Sequence, residues 1–312
     1  MTPLPSVRIV EVGPRDGLQN EAWAIPPRQR IALIDALSAS GLTSIEAGSF
    51  VSAKRVPQMA GTDAVLRGIT PFAGVRYPVL VPNAIGMENA IGAGAGEIAL
   101  FLSATESFSH RNISCSVATS LERAADVLEM ARDHAIPVRA YVSCALGCPY
   151  EGTVPPAAVA SLAERLVAMG CYEISLGDTI GVGTPGQARD MVRTVAMAVP
   201  VDQLAIHFHD TYGQALANVL ACLDTGVAVV DSAAGGLGGC PYATGASGNL
   251  ATEDLLYMLH GLGIETGVDM DRLLDAVEMI ESQLGIRARS KLYAAERRGR
   301  RTGDERRTMA RV

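Results

Sequence analysis

Short apolar runs alternate along the chain with longer segments whose apolar residues recur at helical spacing. Val7-Arg8-Ile9-Val10-Glu11-Val12 reads as a buried strand, and Gly13-Pro14-Arg15-Asp16-Gly17 comes after it as a tight loop. A helix then covers Arg28 to Ser40, with Ile31, Ile34 and Leu37 on one face, and Gly41 stops it. Leu42 to Glu46 is a second strand. Further strand-like runs are Arg76 to Val81, Glu97 to Leu102, Val138 to Val142, Tyr172 to Leu176, Leu204 to Phe208 and Ala228 to Asp231. Helical patterns lie between most of them, at Ser120 to Ala135, Pro155 to Met169, Gln187 to Ala198 and Gly213 to Leu223. Prolines open the Pro155 helix and Gly170 closes it, the expected asymmetry. Eight strands alternating with helices predict an α/β protein with a (β/α)8 TIM-barrel fold. A doubly wound sheet competes, but no dinucleotide fingerprint comes after the first strand. Asp269 to Leu284 adds a C-terminal helix beyond the eighth unit, which gives one domain over residues 1–285.

Charge changes this picture at one end. The whole chain carries −7, yet Ile286 to Val312 holds ten Lys or Arg against three acids, so residues 286–312 read as a basic, solvated tail. The acidic remainder gives no general attraction for nucleic acid or an anionic membrane. No run is long and apolar enough to span a bilayer. Six cysteines show no CxxC pair and no signal peptide is visible, so reduced thiols in a cytoplasm are the expectation.

In a barrel of this class, chemistry collects at the carboxyl ends of the strands. At or just past those ends stand Arg15 and Asp16, Glu46, Asn83, Ser103, Ser143, Asp178, then His207 and His209. Residues two apart on a strand share a face, so His207 and His209 project together. They are either hydrogen-bonded core histidines or metal ligands, and the convergence of acids and an arginine favours ligands. Asp16 is then the natural carboxylate, and Asn249 can lend an amide oxygen; otherwise they are a turn-former and the N-cap of a helix over Leu250 to Leu259. Such a mixed nitrogen and oxygen set suits Mg2+ or Mn2+ better than a closed structural zinc site, while the ligand types alone leave zinc open. Cys240, at the tip of a glycine-rich loop, is a proton donor or a small packing residue, while Cys144 and Cys148 read as structural. Glu11 and Arg139 are charges inside strands, and each needs a partner. Pairing with one another across the barrel interior is the expectation.

Longer motifs add a family resemblance. They are Gly13 to Glu21 (GPRDGLQNE), Ile45 to Met59 with Ser49-Phe50-Val51-Ser52 and Val56-Pro57-Gln58-Met59, and Tyr141 to Gly152. Ser175 to Gly181, His207 to Gln214 and the loop from Gly235 to Asn249 complete the set. In this order they resemble the 3-hydroxy-3-methylglutaryl-CoA lyases of the DRE-TIM metallolyase superfamily, over nearly the whole barrel. The resemblance implies cleavage of that thioester to acetyl-CoA and acetoacetate, in a homodimer. It implies a divalent cation held by Asp16, His207, His209 and Asn249. Arg15 would steady the enolate of the departing acetyl thioester, Cys240 would sit in a mobile catalytic loop, and Glu46 and Asp178 would be active-site acids. Arg15, Gln19, Tyr141 and Thr179 would contact substrate.

The chemistry needs these residue types. Carbon–carbon cleavage requires removal of the tertiary hydroxyl proton, for which His207 and Asp178 are both candidates. Negative charge then builds on the thioester oxygen, where Arg15 is a preorganised cation. Lys54, Arg55 and the basic tail are candidate partners for the coenzyme A phosphates. Mitochondrial members carry a leader, which this chain does not show, and that points to a bacterial-type cytoplasmic enzyme. Animal members also carry a cysteine near the C-terminus linked to thiol-disulfide regulation, and the Arg-rich end here has none, so that regulation is not expected. Ser290-Lys291-Leu292 is internal and does not act as a peroxisomal address. Rival readings are a Claisen condensation synthase of the same superfamily, a lyase for a larger 3-hydroxy-3-alkylglutaryl-CoA, and a non-catalytic binding barrel.

Overall fold

The computed structural model describes residues 4–239 and 248–302. Eight parallel strands form one sheet: β1 Arg8–Glu11, β2 Gly48–Ser49, β3 Val79–Leu80, β4 Ile98–Ser103, β5 Val138–Ser143, β6 Glu173–Asp178, β7 Leu204–Phe208 and β8 Val229–Ser232. Strand β1 pairs with β8 in register Glu11 to Ser232. On its other side, Glu11 N donates to Ser44 O and Glu46 N donates to Glu11 O, both at 2.9 Å, which closes the barrel.

Helices enclose the sheet: α1 Pro27–Ala39, α2 Thr62–Gly68, α3 Ala84–Gly92, α4 Glu106–Ile113, α5 Val117–Asp133, α6 Pro156–Met169, α7 Pro185–Val195, α8 Ala215–Leu223, α9 Thr252–Gly261, α10 Met270–Leu284 and α11 Lys291–Thr302. Local chemistry sets several boundaries. Asn83 caps α3 by accepting from Gly86 N, and Ser116 caps α5 by accepting from Thr119 N. Gly41, at φ 94°, ends the α1 region with Gly267 O so close that a side chain has no room.

Alternation along each strand sorts the core. Val138, Ala140 and Val142 face the helices in the large apolar cluster, whereas Arg139 and Tyr141 point into the barrel. Inside, Leu80, Ala99 and Tyr141 form a small apolar cluster, with Phe101 against it. Beside it the interior carries a network of charged groups. Arg139 donates through Nε to Glu173 at 2.6 Å and through both Nη atoms to Asp231, and Arg8 also reaches Glu173.

Several expectations need correction. Glu11 and Arg139 do not pair: Glu11 accepts from Gly13 N (2.8 Å), Ala234 N (2.9 Å) and Thr252 Oγ1 (2.6 Å) instead. The second strand joins its neighbours at Ser44 and Ile45 only through single bridges, and becomes a ladder at Gly48–Ser49. Pro78 and Pro82 bracket β3 and lack the N–H a longer ladder needs. Asn249 is not a helix cap, because α9 starts at Thr252 behind Ala251. The basic segment is not wholly solvated. Asp254 accepts from Ser290 Oγ, Lys291 N and Leu292 N, which fixes the start of α11, and Tyr293 is buried.

Candidate metal and substrate site

Strand β7 and a single π-helical turn after β1, Gly13–Gly17, bring the candidate ligands together. His207 lies in β7 and His209 one residue beyond it, with ring centroids 5.3 Å apart. In the turn, Arg15 N and Gly17 N both donate to Val12 O at 3.2 Å, which folds Asp16 back over the barrel mouth. One ligand atom each from Asp16, His207 and His209 lies within 4.8 Å of the others. His209 Nε2 is 3.8 Å from Asp16 Oδ2. Asn249 pairs with His209 through an antiparallel bridge, and its Nδ2 donates to Asp16 Oδ2 at 2.9 Å and to Leu237 O at 3.1 Å.

This set fits a divalent cation. Burial opposes the charge on Asp16, but Arg15 and the two imidazoles outweigh it and hold the carboxyl at about 2. Burial, with His207 beside it, pulls His209 down to about 4. At neutral pH the site therefore offers an ionised carboxylate and a neutral imidazole, the protonation states that metal binding requires. Buried His209 Nδ1 also has no hydrogen-bond partner among the described residues.

Arg15 is set in a fork of acids. Its Nε and Nη2 each lie 2.7 Å from Glu46 Oε2, and Nη1 lies 2.7 Å from Asp16 Oδ1. Although burial works against the charge, Glu46 and Asp16 raise the guanidinium well above its ordinary value. Burial likewise raises Glu46, whose Oε1 has no partner among the described residues. Tyr141 stands between Arg15, 5.4 Å from its ring centroid, and His207, which meets it edge-on at 5.8 Å.

Arg15, Asp16, Gln19, Tyr141, Thr179, His207 and His209 line a cavity of about 1140 Å³, whereas Glu46 and Asn249 stand behind that lining. Asp178 is not in that lining. Its carboxylate accepts from Val182 N (3.2 Å) and Gly183 N (2.8 Å), and burial raises it to about 6. Thr179 Oγ1 accepts from Cys144 N, and Cys148 Sγ accepts from Thr105 Oγ1, so both buried cysteines are tied to neighbouring loops. Cys240 lies outside the described residues. Of the proposed phosphate partners, Arg55 lines the cavity and Lys54 does not. Sequence reasoning did not single out Arg111 and Arg123 on the same wall, or Asp231 beneath His207. Asp231 carried a signal: it ends a buried strand as a charge, the same feature that drew attention to Glu11 and Arg139.

A closed parallel barrel with two imidazoles, a carboxylate and a doubly paired arginine at its strand ends defines an α/β-barrel protein with a candidate divalent-cation site. Residues 6–280 match the HMGL-like family model, and the chain belongs to that family. It is 59% identical over 289 residues to the mitochondrial hydroxymethylglutaryl-CoA lyase of Rattus norvegicus, covering 93% of this chain and 89% of that one. The crystal structure of hydroxymethylglutaryl-CoA lyase from Pseudomonas aeruginosa superposes with a TM-score of 0.94 at 56% identity, over 96% of this chain and 100% of that one. An Acinetobacter baumannii HMG-CoA lyase, solved with coenzyme A and 3-methylmalate, matches with a TM-score of 0.90 at 38% identity, over 95% and 97% of the two chains.

Proposed function

We infer that this protein is a carbon–carbon lyase that cleaves 3-hydroxy-3-methylglutaryl-CoA to acetyl-CoA and acetoacetate. One observation carries the reading: the Asp16, His207 and His209 cluster and the paired Arg15 open on the same large cavity, in a chain so close to named lyases of this thioester. Asp16, His207, His209 and Asn249 are proposed to hold a Mg2+ or Mn2+ ion. When bound, it would orient the substrate's hydroxyl and carboxylate oxygens and ease loss of the hydroxyl proton.

The remaining work falls to the chain's own groups. Proton removal is assigned to Asp178, which at about 6 has basicity suited to neutral pH, with His207, which lines the cavity, assisting it by orienting the hydroxyl. As the hydroxyl becomes a ketone, the pair from the broken carbon–carbon bond passes to the thioester enolate. Arg15, held rigid by Glu46 and Asp16, then meets the enolate oxygen without reorganising. Protonation of the enolate carbon releases acetyl-CoA, and Cys240 is proposed for that proton. Gln19, Tyr141 and Thr179 line the substrate's path, and Arg55, Arg111 and Arg123 are cations suited to the coenzyme A phosphates.

The same proposal includes residues 1–285 as the catalytic domain, 286–312 as an appended basic segment, and a cytoplasmic homodimer. All five described cysteines are unpaired, as a reducing compartment allows, and among the described residues no helix is long and apolar enough to cross a membrane. The test is to strip the protein with chelator and assay acetoacetate from 3-hydroxy-3-methylglutaryl-CoA with and without added Mg2+ or Mn2+. Product only with metal is expected. Absence of product under every metal condition overturns the activity, and full activity after stripping overturns the cation.

A further inference from the structure

Below the cavity floor, Asp231 on β8 lies in register with His207 on β7. It is 1% exposed and collects four polar contacts. Oδ1 accepts from Arg139 Nη2 at 2.6 Å, while Oδ2 accepts from Arg139 Nη1 at 3.1 Å and Ser175 Oγ at 2.7 Å. Oδ2 also lies 3.3 Å from His207 Nδ1. That nitrogen is buried and makes no full hydrogen bond in the described structure, so Asp231 is the acceptor a small ring rotation would engage.

A simpler reading makes Asp231 only the counter-ion of Arg139. Two features speak for more. Arg139 already has a carboxylate at Nε, from Glu173, so charge balance alone does not require Asp231 to face a histidine. Tyr141 meets the His207 ring edge-on, at 81° between planes, and Arg139 lies 4.9 Å from the Tyr141 centroid. The guanidinium thus braces two of the groups beside the imidazole, Asp231 and Tyr141. A neutral imidazole carries one N–H, and a carboxylate at Nδ1 draws it there.

We propose that Asp231, held by Arg139 and Ser175, is the positioning residue of the site: it accepts the Nδ1 proton of His207 and leaves the Nε2 lone pair facing the cavity. For the cation, the inference rests on the function proposed above; for the tautomer, it stands alone. A hydrogen-bonded partner behind a ligating histidine fixes both ring angle and donor atom.

The experiment uses metal-stripped, full-length protein labelled with 15N-histidine, at pH 8, with His207 assigned by its disappearance in His207→Asn. Two-bond proton–nitrogen correlation should show the Nδ1–H tautomer in the wild type. A dominant Nε2–H tautomer overturns the proposal, whether or not any Asp231 variant folds. In Asp231→Asn the single tautomer should be lost, the Mn2+ dissociation constant should rise about 10–100-fold, and kcat should fall with KM within about threefold. An Asp231→Asn protein that keeps the Nδ1–H tautomer and wild-type Mn2+ affinity overturns it as well. A wild type that binds no Mn2+ overturns the cation reading instead, and the tautomer still decides this one.

Discussion

Arg15 carries the sharpest demand on a single side chain. Its fork reaches Glu46 through Nε and Nη2 and Asp16 through Nη1, so one planar cation spans two acids. Lysine keeps the charge but is a compact ammonium that cannot make that span. Arg15→Lys should therefore lower kcat by about 10²–10³, the usual loss when a preorganised electrostatic group is removed. Steady-state kinetics at saturating metal check this, and a kcat within about threefold of wild type contradicts the assignment. Asp16, His207 and His209 were legible in the sequence because short spacing and strand period put them on one face or one turn. Asp231 was not, because its partners Arg139 and Ser175 come from β5 and β6, and only barrel closure and register bring them together. The same gap explains the mistaken pairing of Glu11 with Arg139: strand charges announce a need for partners without saying which.

At the scale of elements, the turn after β1 and the glycine run after β8 have to pass within contact of each other. A Cβ on Gly238 would lie 2.8 Å from Asn249 Nδ2, and its φ of 122° disfavours any side chain. Next to it, among the described residues, a Cβ on Gly239 would meet Asn20 Cβ at an ordinary 3.8 Å. Gly238→Ala should push Asn249 off Asp16 and weaken Mn2+ binding by roughly tenfold or more, while Gly239→Ala leaves it near wild type. Equilibrium Mn2+ titration of the two variants side by side checks this; equal affinities contradict it. The alternation of strands and helices, with β7 placed to the residue, was readable from periodicity. Helices α2, α3 and α4 were less so: each is short, and α3 is rich in Gly and Ala, so no apolar stripe marks it. The docking of residues 286–293 was also hidden, because Asp254 on α9, which anchors them, sits in an ordinary polar position of its helix.

Across the whole molecule, the charge set inside the barrel and under the glycine run makes stability depend on pH in a calculable direction. Glu253 is fully buried and accepts from Gly235 N with both oxygens (3.1 and 3.0 Å); burial pushes it up to about 8. Glu11 rises to about 7 for the same reason. Each carboxyl keeps its proton in the folded chain at pH values where the unfolded chain has lost it. Their stabilising effect is complete at low pH and is lost as pH rises toward those values. His209, pulled down to about 4, works the other way, but only below the ordinary histidine range, so it is silent above about pH 6.5. Between pH 6.5 and 8 the falling contribution of Glu253 and Glu11 should dominate, with Glu253 alone supplying about 2 kcal/mol over that window. Glutamine copies the protonated acid and cannot ionise. Glu253→Gln should therefore match the wild-type Tm at about pH 4, below the ordinary glutamate value, and exceed it by several degrees at pH 8. Differential scanning calorimetry of metal-stripped protein measures this. A wild type and Glu253→Gln whose Tm values run parallel from pH 6.5 to 8 would mean that the carboxyl is already ionised in the folded chain, with Gly235 N–H supporting a charge rather than an acid.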